Sequence, residues 1–153
     1  MYRPMLLLTV LILAGCEGSH SFEPDAVNLA GTWLISSETE VNAVPPGTGV
    51  TSNSCTMRNV PVTLEVTDTP TLWVGRMEDG GTLQCELNGD MGAPTPYNPG
   101  LFLMVTKTGA TLSIGLPNGI VVYTGELTAT NRMSGTVTGE LDGQVGTWTA
   151  IRN

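Results

Sequence analysis

The chain has 153 residues, with six Lys or Arg against 14 Asp or Glu and a formal net charge of −8. A surface of this charge repels phosphate backbones, so we expect no nucleic-acid partner. Only 13% of the residues are charged, 41% are hydrophobic and 19 are glycine, which disfavours exposed helices. The composition therefore indicates strands and tight turns in one domain of ordinary size.

A short apolar segment opens the chain. Arg3 precedes nine mostly apolar residues, 5–13, and small residues then lead to Cys16, which is the layout of a secretory signal. The segment is too short to span a membrane, since a transmembrane helix needs about 20 residues. The four residues at the end of this leader, Leu13-Ala14-Gly15-Cys16, resemble the lipobox of bacterial lipoproteins. The resemblance implies cleavage before Cys16, diacylglycerol on its sulfur and acylation of its amino group by a fatty acid such as palmitate.

The lipobox resemblance divides the chain into a signal peptide (1–15), an acylated cysteine with a flexible tether (16–28) and a β-domain (29–153). The cleaved chain keeps five basic residues against 14 acidic ones, a net charge of −9. The resemblance implies a membrane-anchored protein of the bacterial envelope. Since Glu17 follows Cys16 where an aspartate would favour the inner membrane, it implies the outer membrane, facing the periplasm or the cell surface. An ordinary signal peptide, with Cys16 in or beside the cleavage site, is the alternative.

Cys55 and Cys85 remain as a pair once Cys16 is assigned to lipid. Exported proteins fold in an oxidising compartment, so an even pair predicts one disulfide. Closing a loop of about 30 residues would stabilise the fold by roughly 3 to 4 kcal/mol in the chain-entropy description. Two unpaired buried thiols are the alternative.

From Leu29 onward, short β-prone runs are separated by Gly, Pro, Asn and Asp, without helical periodicity. The predicted strands cover 29–37, 57–67, 71–77, 82–87, 101–107, 111–116, 120–130, 133–141 and 144–152. Prolines predict long loops over 42–54 and 88–100, and an acidic Gly-rich tetrad predicts a hairpin turn at 78–81. About eight or nine strands in up-and-down order predict an all-β antiparallel barrel; an open β-sandwich is the alternative.

The first and last predicted strands carry the same tripeptide, Gly-Thr-Trp, which ends at Trp33 and at Trp148. Closing the meander places these strands side by side and removes both edges. Gly31 and Trp33 resemble the Gly-x-Trp of the first lipocalin strand, and Arg152 falls where the last strand supplies an arginine. The resemblance implies a lipocalin-like (calycin) barrel in which Arg152 lies on the indole of Trp33. Periplasmic metalloprotease inhibitors of the same superfamily also share the Ala-Gly-x-Trp start and one disulfide.

We expect a non-enzymatic protein without cofactor or metal. His20, the one histidine, lies in the predicted tether, so the domain has no imidazole for a catalytic triad or a typical zinc site. The first functional hypothesis is a structural or interaction module that contacts an envelope protein through its two long loops. The alternative is a carrier of a small apolar ligand in the barrel mouth. Its candidate lining residues are Trp73, Tyr97, Phe102, Met104 and Tyr123.

Overall fold

The computed structural model describes residues 22–41, 53–97, 100–116, 121–139 and 144–153. Cys16, the predicted signal peptide and most of the predicted loop 42–54 lie outside these ranges. Within them, one 3₁₀ turn (Pro24–Ala26) precedes eleven strands. The strands are β1 (Gly31–Val41), β2 (Asn53–Val66), β3 (Leu72–Met77), β4 (Gly81–Leu87), β5 (Asp90–Met91), β6 (Thr95–Tyr97), β7 (Phe102–Thr108), β8 (Thr111–Gly115), β9 (Val121–Ala129), β10 (Arg132–Gly139) and β11 (Gln144–Arg152).

Eight of these strands close into an antiparallel barrel. The order β1-β2-β3-β7-β8-β9-β10-β11 returns to β1, where the ladder runs from Trp33↔Arg152 to Val41↔Gln144. The prediction of an all-β up-and-down barrel with its terminal strands paired is therefore confirmed, and the open sandwich is excluded. This architecture fits a lipocalin-like fold.

Alternate residues of each strand face a packed interior, as expected for strands with one dry face. Several interior side chains are fully enclosed, among them Trp33, Val60, Val105 and Ala150, each with 0% exposure. Burying apolar side chains at about 25 cal/mol per Å² is the main force that holds such a barrel closed.

The predicted hairpin turn at 78–81 is wrong. Both β3 and β4 pair with β2, with Met77 opposite Val62 and Thr82 opposite Arg58. They are consecutive halves of one long strand, and a β-bulge separates them because five steps along β3–β4 match four along β2. The glycines serve this bulge: Gly81 is buried against the β2 backbone, where a Cβ would overlap Val60.

The predicted long loop 88–100 is also wrong over β5 and β6. Asn88 and Gly89, with φ of 54° and 89°, form a two-residue turn of the kind that suits a hairpin. The chain then returns along β4, first as β5 and then as β6. Proline is tolerated on an edge strand, so Pro96, opposite Thr82, marks an edge and not a loop.

The strand connections lie at the two ends of the barrel. The last residues of β1, β4, β8 and β10 lie at one end, which we call the loop end. The β2–β3, β7–β8 and β9–β10 connections lie at the other end, with Arg152 and the 3₁₀ turn. We call this the closed end.

Candidate functional site

Arg152 joins the last strand to the first at the closed end. Its guanidinium carbon lies 4.6 Å from the centroid of the Trp33 ring, and its Nη2 donates a hydrogen bond to the carbonyl oxygen of Asn28. Trp33 is fully buried, and its indole N–H donates to the Leu29 carbonyl at 2.8 Å. Gly31 begins this strand with a φ of 121°, which favours glycine. The arrangement has the geometry that the lipocalin resemblance implies, and its chemistry is structural.

Residues 23–28, expected as part of a flexible tether, instead pack across the closed end; we call them the cap. Lys107 Nζ donates hydrogen bonds to the carbonyl oxygens of Pro24 (2.6 Å) and Asp25 (3.2 Å). The side chain of Lys107 is buried at 6% exposure. The bonds satisfy an ammonium group that would otherwise be costly to bury. The folded domain therefore includes the cap.

A groove of about 560 Å³ lies between the cap and the β2–β3 connection. Trp73 forms part of its wall; its indole N–H donates to Asn28 Oδ1 at 3.2 Å, and Lys107 Nζ lies 5.9 Å from its ring centroid. Trp73 is only 5% exposed. This predicted ligand-lining residue is thus part of the packing at the closed end and does not line the mouth at the loop end.

Phe102 and Met104 do not line the interior either, so the prediction for these two residues is wrong. They are 63% and 47% exposed on the outer wall, while the alternate positions Leu103, Val105 and Lys107 face inward. Residues alternate between the two faces of β7, so Phe102 and Met104 point outward when Leu103 and Val105 point inward. Lys107 is on the inward face, where its amine donates to the cap carbonyls.

The outer positions of β3 and β7 form an apolar patch with one cation. Val74 lies opposite Met104, and Arg76 lies opposite Phe102. The guanidinium of Arg76 is 5.6 Å from the centroid of the Phe102 ring. We call these four residues the wall patch. Aromatic residues, Met and Arg are the types enriched in protein interfaces.

Tyr123 and Tyr97 face the interior toward the loop end. Tyr123 is 9% exposed and contacts Trp148 edge to face, with ring centroids 5.9 Å apart. Burial raises the pKa of Tyr123 to about 12; interaction with Tyr97 adds to the rise, and a hydrogen bond with Ser37 partly offsets it. Burial also raises the pKa of Tyr97. No sequence pattern singled out Ser37, a buried hydroxyl on β1.

The predicted disulfide is confirmed: Cys55 and Cys85 are bonded and are direct partners in the β2–β4 ladder. The bridge fixes β4, which with β5 and β6 extends the wall past the last β7–β8 pair, Met104↔Gly115. We call β4–β6 the projecting hairpin.

The outer edge of the projecting hairpin has no neighbouring strand in the described part of the chain. Pro94 and Pro96 lie along this edge, and prolines protect an edge against strand addition. Leu87 and Met91 flank its turn at 49% and 61% exposure. The tip therefore presents apolar side chains but a poor template for another strand.

The described residues show neither a metal site nor a membrane-spanning helix. These ranges contain no group of three or more His, Cys, Asp or Glu that could hold a metal ion. They also contain no helix of the length and apolarity needed to cross a membrane.

Comparison with known proteins adds little to this description. No family model matches the chain, and no curated protein matches it. Among solved structures, the chain is similar to a redesigned beta barrel, with 18% sequence identity over 82% of this chain and 91% of that chain, at a TM-score of 0.41. No functional conclusion follows from a similarity of this size.

Proposed function

We propose that the protein is a lipid-anchored component of the bacterial envelope that binds another envelope protein through its loop end and projecting hairpin, without catalysis. The observation that carries the proposal is the hairpin itself. It extends past the β7–β8 ladder, is fixed to β2 by the Cys55–Cys85 bridge and exposes Leu87 and Met91. Recognition commonly lies in connections that a rigid scaffold positions.

The wall patch supports the same proposal, because β7 continues the chain of β6 and brings Phe102 and Met104 close to the hairpin. Exposed apolar patches on a folded domain commonly mark interaction sites. The opposite wall, on β9 and β10, exposes Thr124, Thr128 and Thr136 instead. Exposed large apolar side chains are therefore more numerous on the side of β3, β4 and β7, while β11 also exposes Val145 and Ile151.

The anchor in the proposal depends on the lipobox resemblance of residues 13–16. A Cys16→Ser variant of the full chain should move from the membrane fraction to the soluble fraction, while Ser19→Ala should stay in the membrane fraction. Full membrane attachment of Cys16→Ser would contradict the anchor.

Site-specific photo-crosslinking in cells tests the interaction surface. A photoreactive residue at Met91 or Phe102 should give a discrete protein adduct, because both side chains are exposed. The same residue at Thr128 or Thr136, which are exposed on the opposite wall, should give none. An adduct of equal yield at all four positions, or at none, would contradict an interaction through this side.

A carrier of a small ligand is the second candidate, and the tyrosine pair favours it. Tyr97 and Tyr123 face the interior near the loop end, and the partly buried Leu83, Leu116 and Val121 pack nearby. Native mass spectrometry of the purified protein would detect a bound small molecule that Tyr123→Ala loses. A mass equal to that of the polypeptide and its lipid would contradict this candidate.

A further inference from the structure

The cap fixes where the chain leaves the barrel toward its N-terminus. Lys107 holds the carbonyls of Pro24 and Asp25, and Arg152 and Trp73 hold the carbonyl and side-chain oxygens of Asn28. These bonds place Glu23 at the closed end, on the side opposite the projecting hairpin.

The chain between Cys16 and the cap is short. Six residues, 17–22, separate them, and a fully extended chain of that length spans at most about 25 Å. β1 alone has 11 residues, which cover about 25 to 30 Å along the axis of a barrel with strands tilted by 35–45°. β4 ends level with β1 in the β2 ladder, since Leu87 pairs with Asn53 and Glu40 pairs with Ser54. A fully extended tether only just matches the height of β1, so in any less extended conformation a lipid on Cys16 stays nearer the closed end while the cap is docked.

The side chains at the closed end allow contact with the lipid surface without insertion of the barrel into hydrocarbon. Phe22, next to the cap, is 38% exposed, and an exposed apolar side chain such as Phe can insert at the boundary between headgroups and acyl chains. The neighbouring Glu23, Asp25 and Asp68 are carboxylates at the same end. Their charges oppose insertion into hydrocarbon, because burying a charge is costly, and they are not attracted to lipid phosphates, so the short tether and not charge holds this end at the surface.

We propose that the closed end of the barrel faces the membrane surface that holds the anchor, and that the projecting hairpin points away from it. The proposal rests on the lipid anchor of the proposed function. It assigns the closed end to lipid headgroups and leaves the loop end free for a protein on the far side.

The test uses the full chain, isolated from the membrane fraction of a bacterial host and reconstituted into phosphatidylethanolamine–phosphatidylglycerol vesicles with a nitroxide quencher on the headgroup. A dye is attached to one introduced cysteine: Thr69→Cys in the β2–β3 connection, Met91→Cys on the hairpin or Thr136→Cys on the opposite wall. All three positions are exposed. We expect strong loss of fluorescence at position 69, less at 136 and none above the vesicle-free background at 91.

A longer tether provides the matched control. Inserting about 20 Gly/Ser residues after Ser19 adds roughly 25 Å of mean reach, so quenching at position 69 should fall while the protein stays on the vesicles. Unchanged quenching would overturn the role of the short tether. Equal quenching at 69 and 91, or more at 91, would overturn the orientation and leave the anchor intact. Protein that does not remain on the vesicles would overturn both.

Discussion

Gly125 and Gly135 are direct partners in the β9–β10 ladder, and neither position has room for a side chain. A Cβ on Gly135 would overlap the carbonyl oxygen of Thr124, and a Cβ on Gly125 would overlap that of Ser134. Trp148 is the β11 partner of Gly135, and its indole N–H reaches β9 to donate to the Thr124 carbonyl at 3.1 Å. The glycine pair lets two backbones bend closely together, and the indole fills the space inside the bend.

Gly135→Ala should therefore lower the free energy of unfolding by about 1 to 3 kcal/mol, the usual cost of forcing extra volume into packed structure. Gly115→Ala on β8 is the matched control, because nothing lies within 4 Å of a Cβ there. That variant should be neutral or slightly stabilising, since alanine has less backbone freedom to lose on folding. Urea unfolding followed by tryptophan fluorescence measures both. Equal losses would contradict the close approach of the two backbones.

Much of the barrel could be predicted because strand alternation and matching tripeptides can be read directly from the sequence. Alternating apolar residues define β2, and the tripeptides ending at Trp33 and Trp148 indicate that the first and last strands meet. Which face of β7 points into the barrel could not be predicted. It depends on Lys107, whose inward position is stabilised by carbonyls of a segment more than 80 residues away.

Lys107→Met tests the contact between β7 and the cap. It removes the donor to the carbonyls of Pro24 and Asp25 while keeping an apolar stem of similar size. Hydrogen bonds of a charged group contribute about 1.5 to 3 kcal/mol, so hydrogen exchange should become faster in residues 23–28. Arg58→Met is the control, since its 3.8 Å ion pair with Glu38 is exposed and should contribute little. Unchanged protection of the cap in Lys107→Met would contradict the assignment.

Arg152→Met tests closure of the barrel at Trp33. It removes the guanidinium from the indole and its bond to Asn28, and should lower the free energy of unfolding by about 1 to 3 kcal/mol. Arg152→Lys should restore little, because an ammonium group cannot stack as a planar guanidinium does. Arg132→Met, an exposed arginine on β10, should change stability by less than about 0.5 kcal/mol. A full rescue by lysine would show that charge alone matters.

The disulfide should stabilise the projecting hairpin more visibly than the barrel. Replacing both Cys55 and Cys85 by serine opens a loop with a sequence separation of 30, and should lower the free energy of unfolding by about 3 to 4 kcal/mol in the chain-entropy description. Hydrogen exchange should accelerate in residues 81–97 more than in β9 and β10, because the hairpin has one free edge. Uniform acceleration throughout the described strands would contradict a local role.

The sequence could not reveal that residues 78–81 form a bulge and not a turn. A Gly-rich tetrad suits either, and the choice depends on whether β4 pairs with β3 or with β2. Cys55 and Cys85 could have decided it, because a cross-strand bridge between β2 and β4 requires those strands to be neighbours.

Tyr123 predicts how stability changes at alkaline pH. Its pKa is about 12 in the folded protein, above the ordinary value of about 10, because burial favours the neutral phenol. The buried neutral phenol therefore makes its full contribution to the free energy of unfolding below pH 10, and this contribution is lost as the pH rises from about 10 to 12. The loss approaches roughly 2 to 3 kcal/mol, since one pKa unit corresponds to about 1.4 kcal/mol.

Tyr123→Phe removes this titration together with the hydrogen bond to Ser37, so the variant should be about 1 kcal/mol less stable at neutral pH. Its stability should fall less steeply above pH 10, so the two stability curves should meet near pH 11, where the loss in the unmodified protein reaches about 1 kcal/mol. Urea unfolding at several pH values from 8 to 11.5 measures both curves. Curves that stay parallel over this range would show that Tyr123 ionises with an ordinary pKa and that its hydroxyl reaches solvent in the folded barrel.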